Sequence, residues 1–389
     1  MMDSLYLVFV SFLMAFVATL WMHPKVLKIA IMKNLVDNPD HRKLQRRPTP
    51  VMGGIAVFFG MLIGMCSSQI FSANNMFIYL VAMMIMLYVG TIDDILDLSP
   101  RLRFALEITV VVILILVTGN SISDFFGLWG VYEISIWLAA PLTVLAAVGI
   151  INAINLIDGV NGLSTGFCVM ACTLFAILFY MSGNITMAII AMSAAGAIVP
   201  FFMHNVFGND TRMFIGDGGA LVMGIVMSIF VMNVLDTSSM SAKLVEESGV
   251  GLIPFCVAVL SVPVFDTLRV MSTRIIRGTS PFNADKTHLH HLFIDLGFSH
   301  IGTTISILTL NTLVVACWFL SFILGASVDV QLYVVLVMSV LVTFVFYGVM
   351  RVQMRKNGAL CRMFNKVGKF TFVEKSGAWA KLEKIIDSI

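Results

Sequence analysis

The chain has 389 residues, of which 59% are hydrophobic and only 12% are charged, and its net charge at neutral pH is +2. Because a soluble globular domain carries about 25% charged residues, this composition excludes an ordinary soluble protein. The six cysteines form no Cys-x-x-Cys pair, so neither a cysteine-based zinc site nor a disulfide framework is expected. We therefore predict an all-α integral membrane protein, since a helix satisfies its own backbone hydrogen bonds within the bilayer.

A helix crosses the hydrocarbon core in about 20 residues, and the sequence contains about eleven apolar runs of roughly that length. No small-residue cleavage site follows the first run, so we interpret it as a membrane span and not as a cleaved signal peptide. The predicted spans are residues 4–22, 51–70, 76–92, 104–118, 136–154, 164–181, 185–203, 215–235, 250–268, 302–325 and 328–350.

The loops between these spans divide the basic residues unequally. The loops alternate between the two sides of the membrane and therefore form two sets. The set that starts with residues 23–50 holds 23 of the 24 Lys and Arg residues, and the other set holds only Lys243. Cytosolic loops carry the excess of Lys and Arg in membrane proteins. We therefore expect a multi-pass protein of the bacterial cytoplasmic membrane, with a periplasmic N-terminus and a cytosolic C-terminus.

The first predicted cytosolic loop contains the sequence DNPDHRK at residues 37–43, followed by PTP and a Gly-Gly pair. We take Asp37, Arg42 and Lys43 as candidates for substrate binding. A basic loop of this kind also suits attachment to anionic lipid headgroups, and the composition alone does not separate the two interpretations.

The second predicted cytosolic loop begins with Asp93 and Asp94, at the end of an apolar span. Adjacent carboxylates are unfavourable there unless a cation or a partner neutralises them. Mg²⁺ usually takes one or two protein carboxylates and completes its shell with water and phosphate. A magnesium site is thus one interpretation of this pair, and a proton relay is the other.

The third and fourth loops are polar but nearly free of basic residues. The third, NAINLIDGVNG at residues 152–162, carries the candidates Asn155, Asp158 and Asn161. Such a segment cannot face lipid, so we expect it to line a wet or ligand-filled cavity. The fourth, FIGDGG at residues 214–219, places Asp217 among glycines at a helix start, which suits either an N-cap or a metal ligand beside bound phosphate.

The fifth loop contains Arg277 and three histidines, His288, His290 and His291. The three histidines could act as ligands of a zinc ion. No cysteine lies nearby, however, and the surrounding arginines would repel a dication. Recognition of phosphate by Arg, Lys and His is therefore the preferred interpretation.

Taken together and in this order, five motifs resemble those of the polyprenyl-phosphate N-acetylhexosamine-1-phosphate transferases, a family that is sister to the phospho-MurNAc-pentapeptide transferases. The motifs are DNPxxRK…PTPxxGG, GTIDDxxD, NAINLIDGxNG, FIGDGG and RGxSPFxADxxHLHH. The resemblance covers residues 1 to about 350, which we take as the transferase domain. Residues 351–389 are expected to form a basic cytosolic tail, which lies on the membrane surface, binds a partner or is simply solvated.

The resemblance implies transfer of an N-acetylhexosamine 1-phosphate, foremost GlcNAc 1-phosphate, from a UDP-sugar to undecaprenyl phosphate, with release of UMP. This would be the first membrane step of an envelope polysaccharide such as O-antigen, common antigen, teichoic acid or capsule. It implies catalytic roles for Asp93, Asp94, Asp158 and Asp217. It also implies Mg²⁺, with Mn²⁺ as an alternative, on Asp217 and Asn155.

The remaining candidates are implied to bind substrate, and they are Asp37, Arg42, Lys43, Asn155, Asn161, Arg277, His288, His290 and His291. Asn161 stands where many members have Asp, which bears on donor selection. No nucleic-acid partner is expected, membrane lipids are, and a homodimer is left open.

Two alternatives remain at this point. One is the same reaction with another UDP-sugar, such as N-acetylgalactosamine or a 6-deoxy sugar. The other is a secondary transporter of an anionic metabolite. A transporter predicts polar groups near the bilayer midplane and internal repeats, whereas here the polar residues gather in the loops of one side.

Overall fold

The computed structural model describes residues 2–37, 48–68, 75–280, 286–373 and 376–388. The helices in these ranges are α1 (Met2–Met32), α2 (Gly53–Cys66), α3 (Met76–Leu96), α4 (Pro100–Thr118), α5 (Ile136–Leu156), α6 (Leu163–Ser182), α7 (Ile185–Phe207), α8 (Gly216–Val234), α9 (Ala242–Ser248), α10 (Leu252–Val259), α11 (Ser261–Ile276), α12 (Leu289–Asp295), α13 (His300–Ile323), α14 (Val328–Val340), α15 (Phe346–Arg355), α16 (Ala359–Phe370) and α17 (Gly377–Ser388). A 3₁₀ turn lies at Leu128–Gly130, and a π-helical turn at Leu341–Val345 joins α14 to α15.

Eight helices in the described ranges are long and apolar enough to cross a membrane, or nine when the bent pair α10–α11 counts as one span. The prediction of a helical, multi-pass membrane protein is therefore confirmed. Each of the eleven predicted runs coincides with a helix or a helix pair, but α2 has only 14 residues and α4 carries two arginines and a glutamate. The number of crossings and the orientation stay predictions.

One element departs from the all-α prediction. The strands β1 (Val36–Asp37) and β2 (Thr49–Pro50) form a two-residue antiparallel ladder, in which Asp37 lies opposite Thr49. The ladder closes the loop between α1 and α2 and holds Asp37 next to the start of α2. Pro50 ends the ladder, and its carbonyl accepts a hydrogen bond from the Phe214 amide.

Helix ends follow local capping signals. Helix α4 begins at Pro100 after Ser99, whose side chain accepts a hydrogen bond from the Leu102 amide. Helix α6 ends at Ser182 and is followed by Gly183 with φ +81°, and Asn184 then caps α7 by accepting from the Met187 amide. Proline at N1, Ser or Asn at the N-cap and glycine after the last turn are the usual boundary residues.

Helix α8 is the centre of the bundle, since it packs on α2, α3 and α5 and is almost entirely buried. Its first turn approaches two neighbouring helices at glycines. A Cβ on Gly54 of α2 would lie 2.3 Å from the Gly219 amide nitrogen, and one on Gly90 of α3 would lie 2.5 Å from the Asp217 carbonyl. These glycines let three backbones meet, as small residues do between membrane helices.

We expect Gly90→Ala to lower the thermal stability of the purified protein, because the added methyl group overlaps backbone atoms of Asp217 and Gly218 that cannot rotate away. Overpacking of this kind costs about 1–3 kcal/mol. The matched control is Gly149→Ala in α5, where nothing lies within 4 Å of the added Cβ. Unfolding in detergent should show a lower Tm for the first variant only, and equal Tm values would contradict the packing argument.

The predicted span at 250–268 is a bent pair of helices. Helices α10 and α11 meet at Leu260 with a bend of 71°. Pro263 has no amide hydrogen to continue the helical ladder across the break. Asn311 of α13 supplies the missing partners, because its side chain donates to the Val259 carbonyl and accepts from the Val262 amide, at 3.1 and 3.0 Å.

The C-terminal helices pack back on the bundle, so the tail is not a freely solvated extension. Asp387 of α17 accepts hydrogen bonds from the amides of Asn209 and Thr211 and from the Thr211 hydroxyl. Partial burial alone would raise the pKa of Asp387, but these bonds outweigh it and lower the pKa. Trp379 also packs on Phe207, with ring centroids 5.1 Å apart. The C-terminus thus contacts the segment that leads into Asp217.

Candidate active site

A cavity of about 600 Å³ opens at one end of the bundle, where the described parts of all five motif loops meet. Its polar lining is dominated by carboxylates, amides and imidazoles. The residues of these types are Asp37, Asp93, Asp94, Asp97, Asp158, Asp217, Asn155, Asn161, Asn205, His290, His291 and His300. Its volume lies within the range of about 300–1,000 Å³ that is typical of ligand pockets.

Asp94 connects the end of α3 to the start of α8. Its carboxylate accepts hydrogen bonds from the amides of Asp217 and Gly218, at 2.9 and 3.2 Å. These amides are unpaired donors of the first turn of α8, so Asp94 caps a helix that is distant in sequence. Gly216, with φ +70°, turns the chain at this point and leaves space for the carboxylate. The contact determines where the Asp217 side chain enters the cavity.

Asp93 belongs to a charged network at the cavity wall. It accepts from the Leu98 amide at 2.8 Å and from the Arg103 guanidinium at 3.0 Å. Arg103 also lies 3.5 Å from Glu107, which is fully buried in α4 and accepts a hydrogen bond from the Asn152 amide group. Two carboxylates thus share one arginine, and Asp93 is held in one orientation at the cavity wall.

Asp97 does not continue the helical face of Asp93, as the spacing of four residues would allow. Helix α3 ends at Leu96, and Asp97 adopts a left-handed conformation with φ +50°. Its amide donates to the Asp93 carbonyl at 2.9 Å. Asp97 therefore lines the cavity as an exposed residue just beyond the end of α3.

Asp158 lies in the loop between α5 and α6, where it is exposed and lines the cavity. The surrounding protein nevertheless desolvates the carboxylate and, with the nearby charge of Asp217, raises the pKa of Asp158 to about 6. The Ser164 hydroxyl donates a hydrogen bond to Asp158 and holds this pKa lower than it would otherwise be. Asp158 is therefore mostly ionised at neutral pH.

The three motif histidines have different environments. His290 and His291 line the cavity. The ring of His290 lies so close to Gly159 that a Cβ there would be 2.4 Å from Nε2. Burial, followed by the neighbouring His291 and His288, lowers the pKa of His290 well below its usual value. His290 is therefore neutral at pH 7 and presents an uncharged imidazole to the cavity.

His288 does not line the cavity, which differs from its predicted role in substrate binding. It is buried, and its Nδ1 is hydrogen-bonded to Asp266 at 2.9 Å. Asp266 also pairs with Arg269 at 2.6 Å and accepts from the Leu289 amide. The ring of His288 is parallel to that of His290, 5.6 Å away. The structure makes His288 a support for His290.

Asn161 and Asn205 connect separate loops at the cavity wall. The Asn161 carbonyl accepts from Thr304 of α13 at 2.8 Å. The Asn205 side chain accepts from the Gly162 amide and donates to the Met213 carbonyl, at 2.7 and 2.8 Å. The asparagine-rich third loop is thereby tied both to α13 and to the segment that precedes Asp217.

The structure brings most of the predicted site residues together. Those that line the cavity are Asp37, Asp93, Asp94, Asn155, Asp158, Asn161, Asp217, His290 and His291. Arg277 follows the last turn of α11 and is exposed outside the cavity. Arg42 and Lys43 lie outside the described residues, so their predicted roles are not tested by the geometry.

Sequence reasoning missed several residues that build the site. Arg103, Asn205 and His300 were not singled out, nor was the buried pair of Asp266 and Arg269. Arg103 is indistinguishable in sequence from an ordinary basic loop residue. A charged Asp-x-x-Arg at the end of an apolar span was a usable signal for Asp266 and Arg269.

The donor set around Asp217 fits a hard divalent cation. Asp217 lies beside the side chains of Asn155 and Asp93 and near the charge of Arg103. No group of three or more His, Cys, Asp or Glu side chains in the described ranges is arranged to hold a metal ion by itself. Mg²⁺ does not need such a group, because it is usually bound by one or two carboxylates together with substrate phosphates and water.

The fold and the site together define a class: a multi-pass membrane protein with an acidic cavity at one end of its helix bundle. The model of the family described as glycosyl transferase family 4 matches residues 76–235, which include Asp93, Asp94, Asp158 and Asp217. All four of these carboxylates line the cavity.

Similar proteins cover most of the chain. It is 30% identical over 364 residues to a Bacillus subtilis (strain 168) protein named "Probable undecaprenyl-phosphate N-acetylglucosaminyl 1-phosphate transferase", and the match covers 93% of this chain and 95% of that protein. It is 28% identical over 284 residues to the undecaprenyl-phosphate alpha-N-acetylglucosaminyl 1-phosphate transferase of Escherichia coli O157:H7, covering 70% and 72%. The protein of that name from Salmonella typhi is 26% identical over 275 residues, again covering 70% and 72%.

The chain therefore belongs to the undecaprenyl-phosphate N-acetylglucosaminyl 1-phosphate transferase family. The similar proteins named above are transferases, which favours an enzyme over the transporter alternative.

Proposed function

We propose that the protein transfers GlcNAc 1-phosphate from UDP-GlcNAc to undecaprenyl phosphate and releases UMP. The observation that carries this proposal is the convergence of residues from five separate loops on one cavity, with Asp37, Asp94, Asp158, Asp217 and His290 each from a different loop. The names of the similar proteins support the same acceptor and the same sugar phosphate. The reaction would be the first membrane step of an envelope polysaccharide.

The two substrates are assigned to different sides of the cavity. We place the acceptor phosphate near Asp93 and Asp94, at the end of α3. We place the uridine diphosphate group of the donor near Asn161 and His290, because neutral imidazole and amide groups can hydrogen-bond a base or a phosphate without adding charge.

We propose that Mg²⁺, or Mn²⁺ in its place, is held by Asp217 and Asn155. The crowding of carboxylates around Asp217 supports this, because anions brought together in a poorly solvated site need a compensating cation. When bound, the cation would neutralise the diphosphate of the donor and so reduce its repulsion from the acceptor.

The acceptor is a phosphate monoester, which is largely dianionic at neutral pH because its second pKa is about 6. It needs little help from a general base. We propose that one of its oxygens attacks the β-phosphorus directly, that the bond from this phosphorus to the bridging oxygen breaks, and that UMP leaves with that oxygen. Asp93 and Asp94 orient the acceptor. The alternative is a two-step route through a phospho-aspartyl enzyme.

The direct and the two-step routes predict different results when no acceptor is present. Incubation of the enzyme with labelled UDP-GlcNAc alone should give neither covalent label on an aspartate nor exchange of UMP. Either result would show that the two-step route operates. Asp295→Asn, on the surface of α12, is a control that should behave like the unchanged protein.

We propose that the cavity faces the cytosol and that the protein lies in the bacterial inner membrane. The supporting observation is the bias of Lys and Arg toward the predicted loops on the cavity side. Labelling of cysteines placed at Arg277 and at Lys243 tests it. A membrane-impermeant reagent added to intact spheroplasts should modify position 243 and not position 277.

A donor screen tests the reaction itself. Purified protein, undecaprenyl phosphate and Mg²⁺ are mixed with one UDP-sugar at a time, and UMP release is measured. UDP-GlcNAc should give the highest rate. A higher rate with UDP-N-acetylgalactosamine or a 6-deoxy sugar would change the donor assignment, and no acceptor-dependent UMP with any donor would refute the proposal.

The pH dependence of this activity should depend on Ser164. If Asp158 acts as a carboxylate, activity falls as the pH drops through about 6, which is its pKa in the folded protein. In Ser164→Ala the carboxylate loses a stabilising hydrogen bond, its pKa rises, and the acid limb moves to higher pH. A bond to a charged group worth about 1.5–3 kcal/mol corresponds to a shift of about one pH unit or more.

The control for this prediction is Thr173→Val on the same helix, where the exposed hydroxyl bonds only to the Val169 carbonyl. Its pH profile should match that of the unchanged protein. An acid limb that stays in place or moves to lower pH in Ser164→Ala would rule out Asp158 as the titrating group.

A further inference from the structure

Helix α16 has three distinct faces, and one of them packs on the protein. Phe364 lies against Phe346 and Phe298, with ring centroids 5.7 and 6.4 Å apart. Gly368 is buried against Gly297, where a Cβ would be 2.8 Å from the carbonyl oxygen. This face anchors α16 to the start of α15, at Phe346, and to the turn between α12 and α13.

The second face is apolar and exposed. Leu360, Met363, Val367 and Phe370 follow one another at intervals of three or four residues and therefore form one stripe. Their exposed fractions are 40%, 50%, 49% and 84%. Four large apolar side chains in one exposed stripe are unusual for a surface in contact with water and point to an apolar partner.

The third face is basic and borders the apolar stripe. Arg362, Lys366 and Lys369 are all exposed and lie on one side of the helix. Residues 346–373 contain six Lys and Arg residues and no Asp or Glu. The partner of this region is therefore expected to be negatively charged as well as apolar.

The position of α16 relates it to the ends of two apolar spans. Thr371, just after the helix, accepts two hydrogen bonds from Ser299: its hydroxyl oxygen from the Ser299 amide at 2.9 Å, and its carbonyl from the Ser299 hydroxyl at 2.7 Å. Ser299 caps α13, a candidate span that begins at His300. The other neighbour, α15, ends a candidate span at Arg355. A helix that is packed on the ends of two spans lies at the level where the bilayer meets water.

We propose that α16 lies in the plane of the membrane surface, with its apolar stripe in the acyl boundary and its basic stripe on anionic lipid headgroups. An anionic lipid surface matches both stripes at once. In-plane amphipathic helices bury such a stripe about 5–10 Å into the boundary region, and Lys and Arg extend their charges back to the headgroups. The proposal concerns a lipid contact of the tail and does not depend on which UDP-sugar reacts.

Spin labels in the full-length protein test this contact. In a background with Cys66→Ser and Cys317→Ser, a nitroxide is attached at Val367→Cys or, for comparison, at Lys369→Cys on the basic stripe. Phe370→Cys provides a second reporter on the apolar stripe. The protein is placed in nanodiscs of phosphatidylcholine alone or mixed with phosphatidylglycerol, and collisions with oxygen and with a water-soluble nickel complex are measured.

We expect oxygen collisions to dominate at positions 367 and 370 and nickel collisions to dominate at position 369. Phosphatidylglycerol should raise the oxygen-to-nickel ratio at 367, and the double substitution Arg362→Gln and Lys366→Gln should remove that response. Equal nickel access at 367 and 369 would overturn the proposal. Shielding of 367 from both reagents would mean a protein cover, and no response to phosphatidylglycerol would exclude headgroup binding; either would overturn it too.

Discussion

Asp217→Asn is expected to abolish sugar-phosphate transfer while leaving the protein folded in the membrane. The substitution keeps the size and one oxygen of the side chain but removes the charge next to Asn155 and Asp93. The amide of residue 217 still donates to Asp94, so the start of α8 should stay in place. Loss of a preorganised electrostatic group at a reacting phosphate lowers the rate by about 10²–10³-fold or more.

The measurement is acceptor-dependent UMP release at saturating UDP-GlcNAc, over a range of Mg²⁺ concentrations. The matched control is Asp295→Asn, a surface carboxylate on α12 that pairs with Arg351. Unfolding in detergent shows whether each variant is folded. Activity of Asp217→Asn equal to that of the control, with the same requirement for Mg²⁺, would refute the metal assignment.

Arg103→Ala is expected to destabilise the protein and to lower its activity. Arg103 is the partner of Asp93 and lies near Glu107, and both carboxylates are buried. Removing one partner of a buried ion pair costs about 3–5 kcal/mol, because a charge is left without compensation. Asp93 also loses the contact that orients it at the cavity wall, so the rate should fall even in the fraction that remains folded.

The comparison variant is Arg101→Ala, two residues earlier on the same helix, where the side chain is exposed. Its Tm should change little, because surface substitutions usually alter stability by within about 0.5 kcal/mol. Adding Glu107→Gln to Arg103→Ala should restore part of the lost stability, since it removes one uncompensated carboxylate. Equal Tm values for the Arg101 and Arg103 variants would show that the charged network contributes little.

The contrast between His288 and His290 shows how far sequence reasoning reaches. The HLHH motif predicted three ligand-facing histidines, but His288 pairs with Asp266, which is 22 residues away. Of these three histidines, His290 and His291 line the cavity and His288 does not. Which histidine faces a ligand depends on how α11 packs beside α12, and that packing leaves no mark in the motif itself.

Arg103 shows the same limit for charged residues. In sequence it belongs to the excess of basic residues that predicts a cytosolic loop. In the folded protein it lies between Asp93 and Glu107, since the turn between α3 and α4 brings the two helix ends together. The bend at Leu260 is another case, because the side chain that satisfies its backbone groups comes from Asn311.

The sequence by itself determined that the protein is helical, that it crosses the membrane several times and which loops carry its polar chemistry. These properties are local, because a lipid environment requires about 20 consecutive apolar residues for each span and excludes polar loops from it. Tertiary structure alone decided that Asp94 caps α8, that Asp387 holds the segment before Asp217 and that α16 exposes an apolar stripe. Such contacts join residues far apart in the chain, and they depend on the packing of whole helices.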